Sequence, residues 1–325
     1  MVKYLRNSNF GTKVSSSERW LVIGGAGFIG SNLVEELLRG NKDVVVVDNF
    51  SMGHNWIEGA KYLRVDVRNR RMISRIIRSG RFDVVVGAWA TRLLQSLENP
   101  FLANNVNSLG ALNVLDVVRR TDSAFIYLST GSVYGLGSVG LNKENGPTVP
   151  STTYGVSKLA AEAYVRTYNL DYGLRTVILR LHSVYGPRQD TTRYGGVAAI
   201  FIKRILTGRP PTIIGDGRET RPFLFVNDAT KAILLASSTK KANGQTINVA
   251  GAKSYSIAQL AKLVLRLTNS NLKPVHMNVD RPHVKHFHSS LDNARKILGF
   301  TPKVNLQEGL RRTIEQAKAV NAPRV

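Results

Sequence analysis

A short apolar run that leads directly into a glycine-rich turn constrains the fold of this 325-residue chain more than any other feature. Residues 19–23 (RWLVI) have the character of a buried strand, and residues 24–40 (GGAGFIGSNLVEELLRG) that of a turn and a helix. The turn matches G-x-x-G-x-x-G through Gly24, Gly27 and Gly30, and a G-x-G-x-x-G match begins one residue later. Glycines at a strand–helix junction let a pyrophosphate approach the backbone at the helix N-terminus. The segment therefore predicts a dinucleotide-binding unit.

Strand-like runs alternate with helical stretches over the first half of the chain. After the first strand, the strand-like runs are DVVVVDNF, YLRVDV, FDVVVGAWA, AFIYLST and RTVILRL. The intervening helical stretches include RRMISRIIRSG and PFLANNVNSLGALNVLDVVRRT. Continuous Val and Ile runs are typical of strands buried on both faces. We therefore predict an α/β fold, a Rossmann-type doubly wound parallel sheet with a smaller, discontinuous C-terminal domain.

Acidic residues end the second and third strand-like runs. Asp48 closes VVVVD, where a carboxylate can accept hydrogen bonds from the adenosine ribose hydroxyls and would repel a 2′-phosphate. The sequence therefore predicts NAD rather than NADP as the cofactor. Asp66 ends the third run, where its side chain either reaches the adenine or stabilises a turn.

The texture of the sequence changes after about residue 183, where Pro, Gly and Arg become frequent. Two later segments, FVNDATKAILLAS and TINVAG, have the pattern of a helix and a strand that return to the first domain. We expect a flexible extension over residues 1–18. The NAD-binding domain is expected over 19–183 plus about 223–250, and the substrate domain over about 184–222 and 270–320.

The stretch TYGVSKLAAEAYV places Tyr154 and Lys158 four residues apart, on one face of a helix. Taken alone, the two side chains are either a proton-transfer pair or an ordinary aromatic–lysine pair on an amphipathic helix. The surrounding motifs decide between these interpretations.

Eight motifs occur in an order typical of one family. They are GGAGFIGS, VVDNFS, SLENP, NVNSLGALNVL, YLSTGSVYG, YGVSK, VYGPRQ and GDGRETRPF, spread over residues 20–315. Together they resemble the extended short-chain dehydrogenase/reductase family of NAD-dependent nucleotide-sugar epimerases and dehydratases. Among its members, the chain is most similar to UDP-glucose 4-epimerase-like enzymes.

The resemblance implies a catalytic role for three residues. Tyr154 would be the base, Lys158 its partner, and Thr130 the hydroxyl that contacts the reacting sugar oxygen. A free tyrosine has a pKa near 10, and a nearby ammonium together with the positive nicotinamide would favour its phenolate. The cofactor-binding residues expected on the same basis are Gly24, Gly27, Phe28, Ile29, Gly30, Asp48, Asn49, Asp66, Val67, Tyr154 and Lys158.

The two positions after Thr130 bear on the reaction. Dehydratases and decarboxylases of the family usually carry an acidic residue there, whereas this chain has Gly131 and Ser132. Oxidation at C4 followed by return of the hydride, which is 4-epimerisation, fits this difference better. A 4,6-dehydratase, a decarboxylase or a reductase remains the alternative, as does an NAD-sensing relative without turnover.

The resemblance also implies residues that bind a nucleotide-diphosphate sugar. Arg221 and Arg281 match positions that grip the diphosphate, and the arginine fork suits phosphate oxygens. Thr130 and Ser183 would contact the sugar. The family resemblance further suggests a homodimer joined by the helix of residues 100–118 and the Tyr154 helix.

The chain departs from the family pattern at several positions. Residues 87–90 read GAWA where His-x-Ala-Ala is usual, which puts Trp89 near the expected nicotinamide pocket. Ser183 replaces the usual Asn before VYGP, and Pro222 replaces the usual Asp. The segment after Arg281 reads PHV instead of the usual Gly-Asp motif. The last three departures affect the predicted substrate more than the predicted cofactor.

Composition excludes some classes of site and suggests some partners. The absence of cysteine excludes disulfides, thiolate nucleophiles and zinc–thiolate centres. No apolar run approaches the roughly 20 residues of a membrane span, and no signal-peptide pattern opens the chain, so a cytoplasmic location is expected. The formal net charge of +23 attracts polyanions. Nucleic-acid binding on the same fold is a competing hypothesis, less favoured because no aromatic-interleaved basic motif accompanies the charge. A steep salt dependence of RNA or DNA binding would support it.

Four histidines lie close together in the sequence near the C-terminal region. They are His276, His283, His286 and His288. No carboxylates accompany them at ligand spacing, so we predict loop histidines and no metal site.

Overall fold

The computed structural model describes residues 17–135, 140–278 and 287–321. A seven-stranded parallel sheet forms its centre, in the order β12-β7-β5-β4-β1-β2-β3. Its strands are β1 (Arg19–Ile23), β2 (Asp43–Asp48), β3 (Lys61–Arg64), β4 (Val84–Gly87), β5 (Ala124–Thr130), β7 (Thr176–Leu181) and β12 (Gln245–Val249). The predicted doubly wound parallel sheet is thereby confirmed.

Shorter strands pair outside the central sheet. They are β6 (Leu141–Asn142), β8 (Val184–Tyr185), β9 (Thr212–Ile214), β10 (Thr220–Arg221), β11 (Leu224–Phe225), β13 (Tyr255–Ser256), β14 (Val275–Met277) and β15 (His288–Ser289). They form the two-stranded pairs β8–β11, β9–β14, β10–β13 and β6–β15. Five of these strands, β8, β9, β10, β14 and β15, lie within the segments that the sequence assigned to the substrate domain.

Eleven α-helices connect the strands of the described residues. They are α1 (Phe28–Arg39), α2 (Arg70–Gly80), α3 (Leu93–Glu98), α4 (Pro100–Ala103), α5 (Gly110–Val118), α6 (Thr153–Tyr172), α7 (Val197–Leu206), α8 (Val226–Ser238), α9 (Ile257–Leu267), α10 (Asp292–Leu298) and α11 (Leu306–Asn321). A π-helical stretch, Asn104–Leu109, joins α4 to α5.

The strand order reverses direction at β1, which lies between β2 and β4. Trp20 is in register with Val44 of β2 on one side and with Val84 of β4 on the other. In open parallel sheets, ligands bind outside the carboxyl ends of the strands at such a switch point. The topology therefore places a ligand crevice beyond Ile23, where the glycine turn begins.

Two apolar cores cover the two faces of the central sheet. Alternate side chains of one strand serve opposite faces, so Val44 and Val46 belong to one core and Val45 and Val47 to the other. All four side chains are almost wholly buried. This two-sided burial is the physical reason for the unbroken valine run.

A third apolar core holds the smaller part of the molecule together. It combines Phe201 of α7, Leu260 of α9 and Leu310 of α11 with Tyr185 of β8. Helix α10 packs instead with the first core, through Ala294 and Leu298. The two-part division expected from the sequence stays a prediction. We propose two changes to it: α9, which was assigned to neither part, joins the smaller part, and α10, which was expected within residues 270–320 of the smaller part, joins the larger part.

The helix that carries Tyr154 has defined ends. Thr152 precedes it, and its hydroxyl accepts a hydrogen bond from the Gly155 amide at 3.1 Å, which caps the first turn. Gly173 ends it in a left-handed conformation at φ 64°. The cap fixes where α6 starts, and so places Tyr154 in its first turn.

Residues 1–16 of the predicted flexible extension lie outside the described residues. Glu18 is held in place, because its carboxylate pairs with Lys42 at 2.9 Å. No helix in the described ranges is long and apolar enough to cross a bilayer.

Candidate active site

The glycine turn at the end of β1 is closely packed. Gly24 has φ +86°, and a Cβ built on it would lie 2.5 Å from the backbone nitrogen of Trp89. A Cβ on Gly30 would lie 2.3 Å from the Gly24 carbonyl oxygen. Neither position can hold a larger residue without moving backbone. The turn thus exposes backbone, not side chains, at the N-terminus of α1, as phosphate binding requires.

Asp48 is tied to this turn. One of its carboxylate oxygens accepts a hydrogen bond from the Ala26 amide at 3.0 Å, and the other accepts one from the Phe50 amide at 2.8 Å. Burial raises the pKa of the Asp48 carboxyl, and its backbone hydrogen bonds lower it. The carboxylate therefore links the end of β2 to the turn after β1.

Asp66 is brought next to Asn49, another of the predicted cofactor-binding residues. The Asn49 amide donates to Asp66 at 2.8 Å, and the Arg68 guanidinium donates to both Asp66 carboxylate oxygens at 2.9 Å. Hydrogen bonding from Arg68 lowers the pKa of Asp66 to about 2, so the carboxylate is charged at neutral pH. Val67, next in sequence, is buried.

A cavity of about 260 Å³ connects these groups. Of the predicted cofactor-binding residues, six line it: Gly24, Gly27, Asp48, Asn49, Asp66 and Val67. Phe28, Ile29 and Gly30 form the first turn of α1 beside it. A glycine turn without side chains at one point and a buried carboxylate at the next strand end fit the pyrophosphate and ribose of a dinucleotide.

Trp89 fills the space left by Gly87. A Cβ on Gly87 would lie 2.8 Å from the Trp89 ring, and the indole nitrogen donates to the Val106 carbonyl at 2.9 Å. The ring also makes an edge contact with Tyr127, at 6.1 Å between ring centroids. The small and large residues of GAWA are therefore complementary. Trp89 packs into the core while it also lines the cofactor cavity.

The three predicted catalytic residues meet at the carboxyl end of β5. Thr130 is the last residue of β5, and its hydroxyl lies close enough to the phenol of Tyr154 to lower the pKa of that phenol. The same hydroxyl donates to the Ser132 hydroxyl at 3.2 Å. Lys158 lies one helical turn after Tyr154 and is almost fully buried. Its ammonium donates to the Leu128 carbonyl at 2.6 Å and lies 4.1 Å from the centroid of the Tyr127 ring.

Burial shifts both proton-bearing groups of the helix. It raises the pKa of Tyr154, an effect that the neighbouring Thr130 hydroxyl opposes. It lowers the pKa of Lys158 to about 7, an effect that the Glu162 carboxylate opposes. Burial thus favours the neutral phenol at Tyr154 and the neutral amine at Lys158. A phenolate at Tyr154 requires further positive charge, which the sequence interpretation assigned to Lys158 and the nicotinamide.

Sequence reasoning missed Glu162, one turn beyond Lys158. Its carboxylate is fully buried, accepts a hydrogen bond from Ser129 at 2.5 Å and pairs with Arg180 at 2.7 Å. Arg166 pairs at 3.1 Å with the same carboxylate oxygen, Oε2, as Arg180. The spacing of four residues after Lys158 was the available signal, since it puts Glu162 on the same helix face.

A second cavity, of about 420 Å³, opens on the other side of Thr130. Thr130, Ser183 and Arg221, all predicted to bind substrate, line it together. Ser183 has φ 44°, a left-handed conformation in which Asn is the more usual residue. Arg281, the fourth predicted substrate residue, lies outside the described residues.

Arg221 is positioned by a carboxylate, a backbone carbonyl and an aromatic ring. Its guanidinium pairs with Glu219 at 3.1 Å, donates to the Thr220 carbonyl at 2.8 Å and lies 5.4 Å from the centroid of the Phe287 ring. Burial lowers its pKa, and Glu219 raises it. The side chain is thus held at the cavity wall, where it can face an anionic ligand.

The histidines singled out in the sequence do not converge on one point. His276 contacts the Gly215 carbonyl at 2.8 Å through Nδ1, and His288 contacts Ser254 at 3.1 Å. His283 and His286 lie outside the described residues. Within the described ranges, no three His, Asp or Glu side chains are grouped closely enough to hold a metal ion.

Comparisons with known proteins agree with this geometry. A family model described as the NAD dependent epimerase/dehydratase family matches residues 20–250. A solved UDP-glucose 4-epimerase of Thermotoga maritima with UDP-glucose superposes with a TM-score of 0.90 at 32% identity, covering 93% of this chain and 99% of that one. A UDP-glucose 4-epimerase of Thermus thermophilus in complex with NAD gives 0.86 at 33% identity, covering 92% and 99%. A UDP-N-acetyl-alpha-D-glucosaminuronate decarboxylase of Bacillus cytotoxicus is 30% identical, covering 92% of this chain and 97% of its own.

Proposed function

Because the chain belongs to the NAD dependent epimerase/dehydratase family, we propose that it is a nucleotide-sugar 4-epimerase of the UDP-glucose/UDP-galactose type. The sequence motifs predicted both this family and its dependence on NAD. The reaction consists of transient oxidation at C4 of the sugar, rotation of the 4-keto intermediate and return of the hydride to the opposite face. The solved UDP-glucose 4-epimerases of Thermotoga maritima, with UDP-glucose, and of Thermus thermophilus, in complex with NAD, support this reaction over others.

The observation that carries the proposal is the meeting of the Thr130 hydroxyl and the Tyr154 phenol at the end of β5, where the two residues after Thr130 carry no carboxylate. A hydroxyl beside a phenol can orient the C4 hydroxyl of the sugar and remove its proton. Dehydration or decarboxylation calls for a further acid–base group, and Gly131 and Ser132 supply none. The decarboxylase among the relatives makes this difference the decisive one.

In the proposed reaction, the proton and the hydride that leave the C4 position in the first half both return to it in the second. Bound NAD supplies a reversible hydride acceptor. Tyr154, as phenolate, takes the proton of the C4 hydroxyl while the C4–H bond breaks with its electron pair. Lys158 stabilises the phenolate and holds the ribose near it. In the second half, Tyr154 returns the proton to the C4 oxygen when the hydride re-enters on the other face, so that no net oxidation occurs.

We propose that the substrate's diphosphate lies against Arg221. Its partly buried, pre-positioned guanidinium suits phosphate oxygens, and binding would exchange the Glu219 contact for a more highly charged partner. Ser183 and Thr130 would face the sugar. Arg281 keeps its proposed role as a second diphosphate ligand on the basis of the sequence motif alone.

We also propose a homodimer formed through the helical stretch of residues 100–118 and α6. These two segments leave large apolar side chains in solvent: Phe101, Leu109, Val156 and Tyr164, with Phe101 82% exposed. An exposed apolar patch of this kind is typical of a protein–protein interface. Light scattering on the purified chain, with Phe101→Glu as the disrupting variant, tests the stoichiometry.

A panel of UDP-, dTDP- and GDP-sugars, incubated with the protein and NAD and analysed by NMR, tests the reaction. We expect interconversion of a C4 pair without net NADH. A 4-keto-6-deoxy or decarboxylated product would assign the chain to the dehydratases or decarboxylases. No turnover of any sugar despite bound NAD would refute the epimerase and direct attention to the basic surface.

A further inference from the structure

His182 is a buried titratable side chain that the proposed mechanism does not use. It follows the last residue of β7, is only 3% exposed and lines the same cavity as Thr130 and Arg221. The ring stacks on Tyr134, with 6.0 Å between centroids, and meets the Phe287 ring edge-on at 6.4 Å. The imidazole is therefore a fixed part of the wall of the proposed sugar site.

The imidazole occupies the space that a side chain on residue 131 would need. A Cβ built on Gly131 would lie 2.3 Å from Nδ1 of His182 and 2.4 Å from its Cε1. Gly131 directly follows Thr130, the proposed contact of the reacting sugar oxygen. A nitrogen base thus stands beside the reaction centre at the place where the chain has no side chain of its own.

Neighbouring hydrogen bonds determine which ring nitrogen carries the proton. The Asn248 amide donates to the Asn142 carbonyl at 3.2 Å, so its oxygen faces the other way, towards Tyr134 and His182. Tyr134 accepts a hydrogen bond from Arg180 at 2.9 Å and donates its own proton to the Asn248 oxygen at 2.8 Å.

Nε2 of His182 lies 3.2 Å from the same Asn248 oxygen. An amide oxygen only accepts, so Nε2 carries the hydrogen and Nδ1 is left as an acceptor. The Ser289 hydroxyl lies 3.0 Å from Nδ1 and donates to it. Burial lowers the pKa of His182 to about 4, against a smaller contribution from Asn248, so the ring is neutral at neutral pH.

We propose that Nδ1 of His182 is a substrate-specificity group that accepts a hydrogen bond from the C6 hydroxyl of the bound sugar, so that the site selects neutral hexoses over uronic acids. This inference rests on the proposed function. The Ser289 hydroxyl can rotate away, which lets the sugar hydroxyl replace it as donor. A uronic carboxylate has no proton to offer at neutral pH and would place lone pairs against the lone pair of Nδ1.

The rest of the cavity supports the same selection. Among its described lining residues, Arg221 is the only cation, and the carboxylate of Glu219 accompanies it. The opposite wall carries Leu93, Leu94 and Leu97. None of these groups compensates the charge of a second carboxylate, so a uronic acid would be bound at a cost in desolvation.

Steady-state kinetics with UDP-glucose and UDP-glucuronate on the NAD-loaded enzyme test the inference. The key variants are His182→Phe, which keeps the ring packing and removes the acceptor, and His182→Asn, which keeps an acceptor near Nδ1. We expect His182→Phe to lower kcat/KM for UDP-glucose about 10-fold while that for UDP-glucuronate is unchanged or rises, and His182→Asn to restore part of the loss. His276→Gln, at an exposed histidine outside the cavity lining, is the control.

Two further variants separate the contact from a structural effect. Gly131→Ala should reproduce the loss by displacing the ring, and should have no additional effect in a His182→Ala background. Ser289→Ala should leave kcat/KM unchanged or raise it, because it removes the competing donor. A loss in Ser289→Ala equal to that in His182→Phe would assign the sugar contact to Ser289 and overturn the inference.

The failure of the inference and the failure of the proposed function give different results. If the enzyme epimerises UDP-glucose but His182→Phe lowers kcat/KM for both sugars equally, or for neither, the specificity role is wrong and the epimerase stands. If the parent protein epimerises neither sugar, both are wrong. Isothermal titration of UDP-glucose and UDP-glucuronate gives the second readout, in which only the UDP-glucose Kd should weaken.

Discussion

The side-chain nitrogen of Lys158 lies 2.6 Å from the carbonyl oxygen of Leu128, so a side chain of α6 is hydrogen-bonded to the strand that ends at Thr130. The Tyr127 ring covers it at 4.1 Å. This contact fixes the distance between α6 and β5, and with it the meeting of Tyr154 and Thr130. Burial of the lysine lowers its pKa to about 7.

The buried lysine predicts a pH dependence of stability in the absence of cofactor. In the unfolded chain Lys158 keeps its proton up to about 10.5, whereas in the folded chain it releases it near 7. Between these values the unfolded state binds more protons, so the free energy of unfolding rises with pH. Lys158→Met removes this slope. We expect the variant to be stabilised more, or destabilised less, at pH 6.5 than at pH 9.5 in urea denaturation.

The control for this experiment is Lys203→Met, at an exposed position of α7. Its difference from the parent protein should be nearly the same at both pH values. A Lys158→Met difference that is also constant with pH would show that the lysine is not desolvated as the structure indicates.

Tyr154→Phe is expected to lower kcat by about 10²–10⁴-fold, because it removes the group that transfers the C4 hydroxyl proton. The ring that packs in the first turn of α6 is retained, so the melting temperature and NAD affinity should change little. Tyr164→Phe, on the same helix but 40% exposed, should retain full activity. Substantial turnover by Tyr154→Phe would require a different base.

Gly30→Ala is expected to abolish NAD binding, because the new Cβ would lie 2.3 Å from the Gly24 carbonyl oxygen and the turn would have to move. Gly40→Ala, whose Cβ would lie 3.4 Å from the Leu37 carbonyl oxygen, is the matched control. Fluorescence titration with NAD measures the difference. Equal NAD affinity in the two variants would separate the glycine turn from cofactor binding.

Arg221→Lys is expected to raise KM for the nucleotide sugar about 10-fold with a smaller change in kcat, because an ammonium cannot make the two-pronged contact with phosphate oxygens. Arg218→Lys, at a side chain that is 87% exposed, is the neighbouring control. If kcat rather than KM falls in Arg221→Lys, the arginine acts on the reacting sugar and not on the diphosphate.

The strands of the central sheet could be predicted from the sequence because strands buried on both faces consist of continuous apolar runs. The run RWLVI became β1 within the same residues, and the helical stretch RRMISRIIRSG became α2 (Arg70–Gly80). The predicted fold class and family are confirmed. The helical stretch of residues 100–118 contains a π-helical segment, Asn104–Leu109, which periodicity alone did not indicate.

The smaller part of the molecule was harder to predict. Helix α7 lies in a region dominated by Pro, Gly and Arg, and its apolar side chains pack in the third core against α9 and α11. The role of His182 could not be recognised from its neighbours in sequence. It depends on Gly131, Asn248 and Ser289, which are distant in sequence and meet only through the fold.

The most direct test of the proposed epimerase uses UDP-glucose labelled with deuterium at C4. If the hydride leaves C4 and returns to the same carbon, the UDP-galactose formed will keep the deuterium at C4 with inverted configuration, and mass spectrometry of the nucleotide sugar will show no loss of label. Loss of deuterium to solvent, or its transfer to C6, would contradict transient oxidation with return at C4 and would show that this site carries out a different reaction.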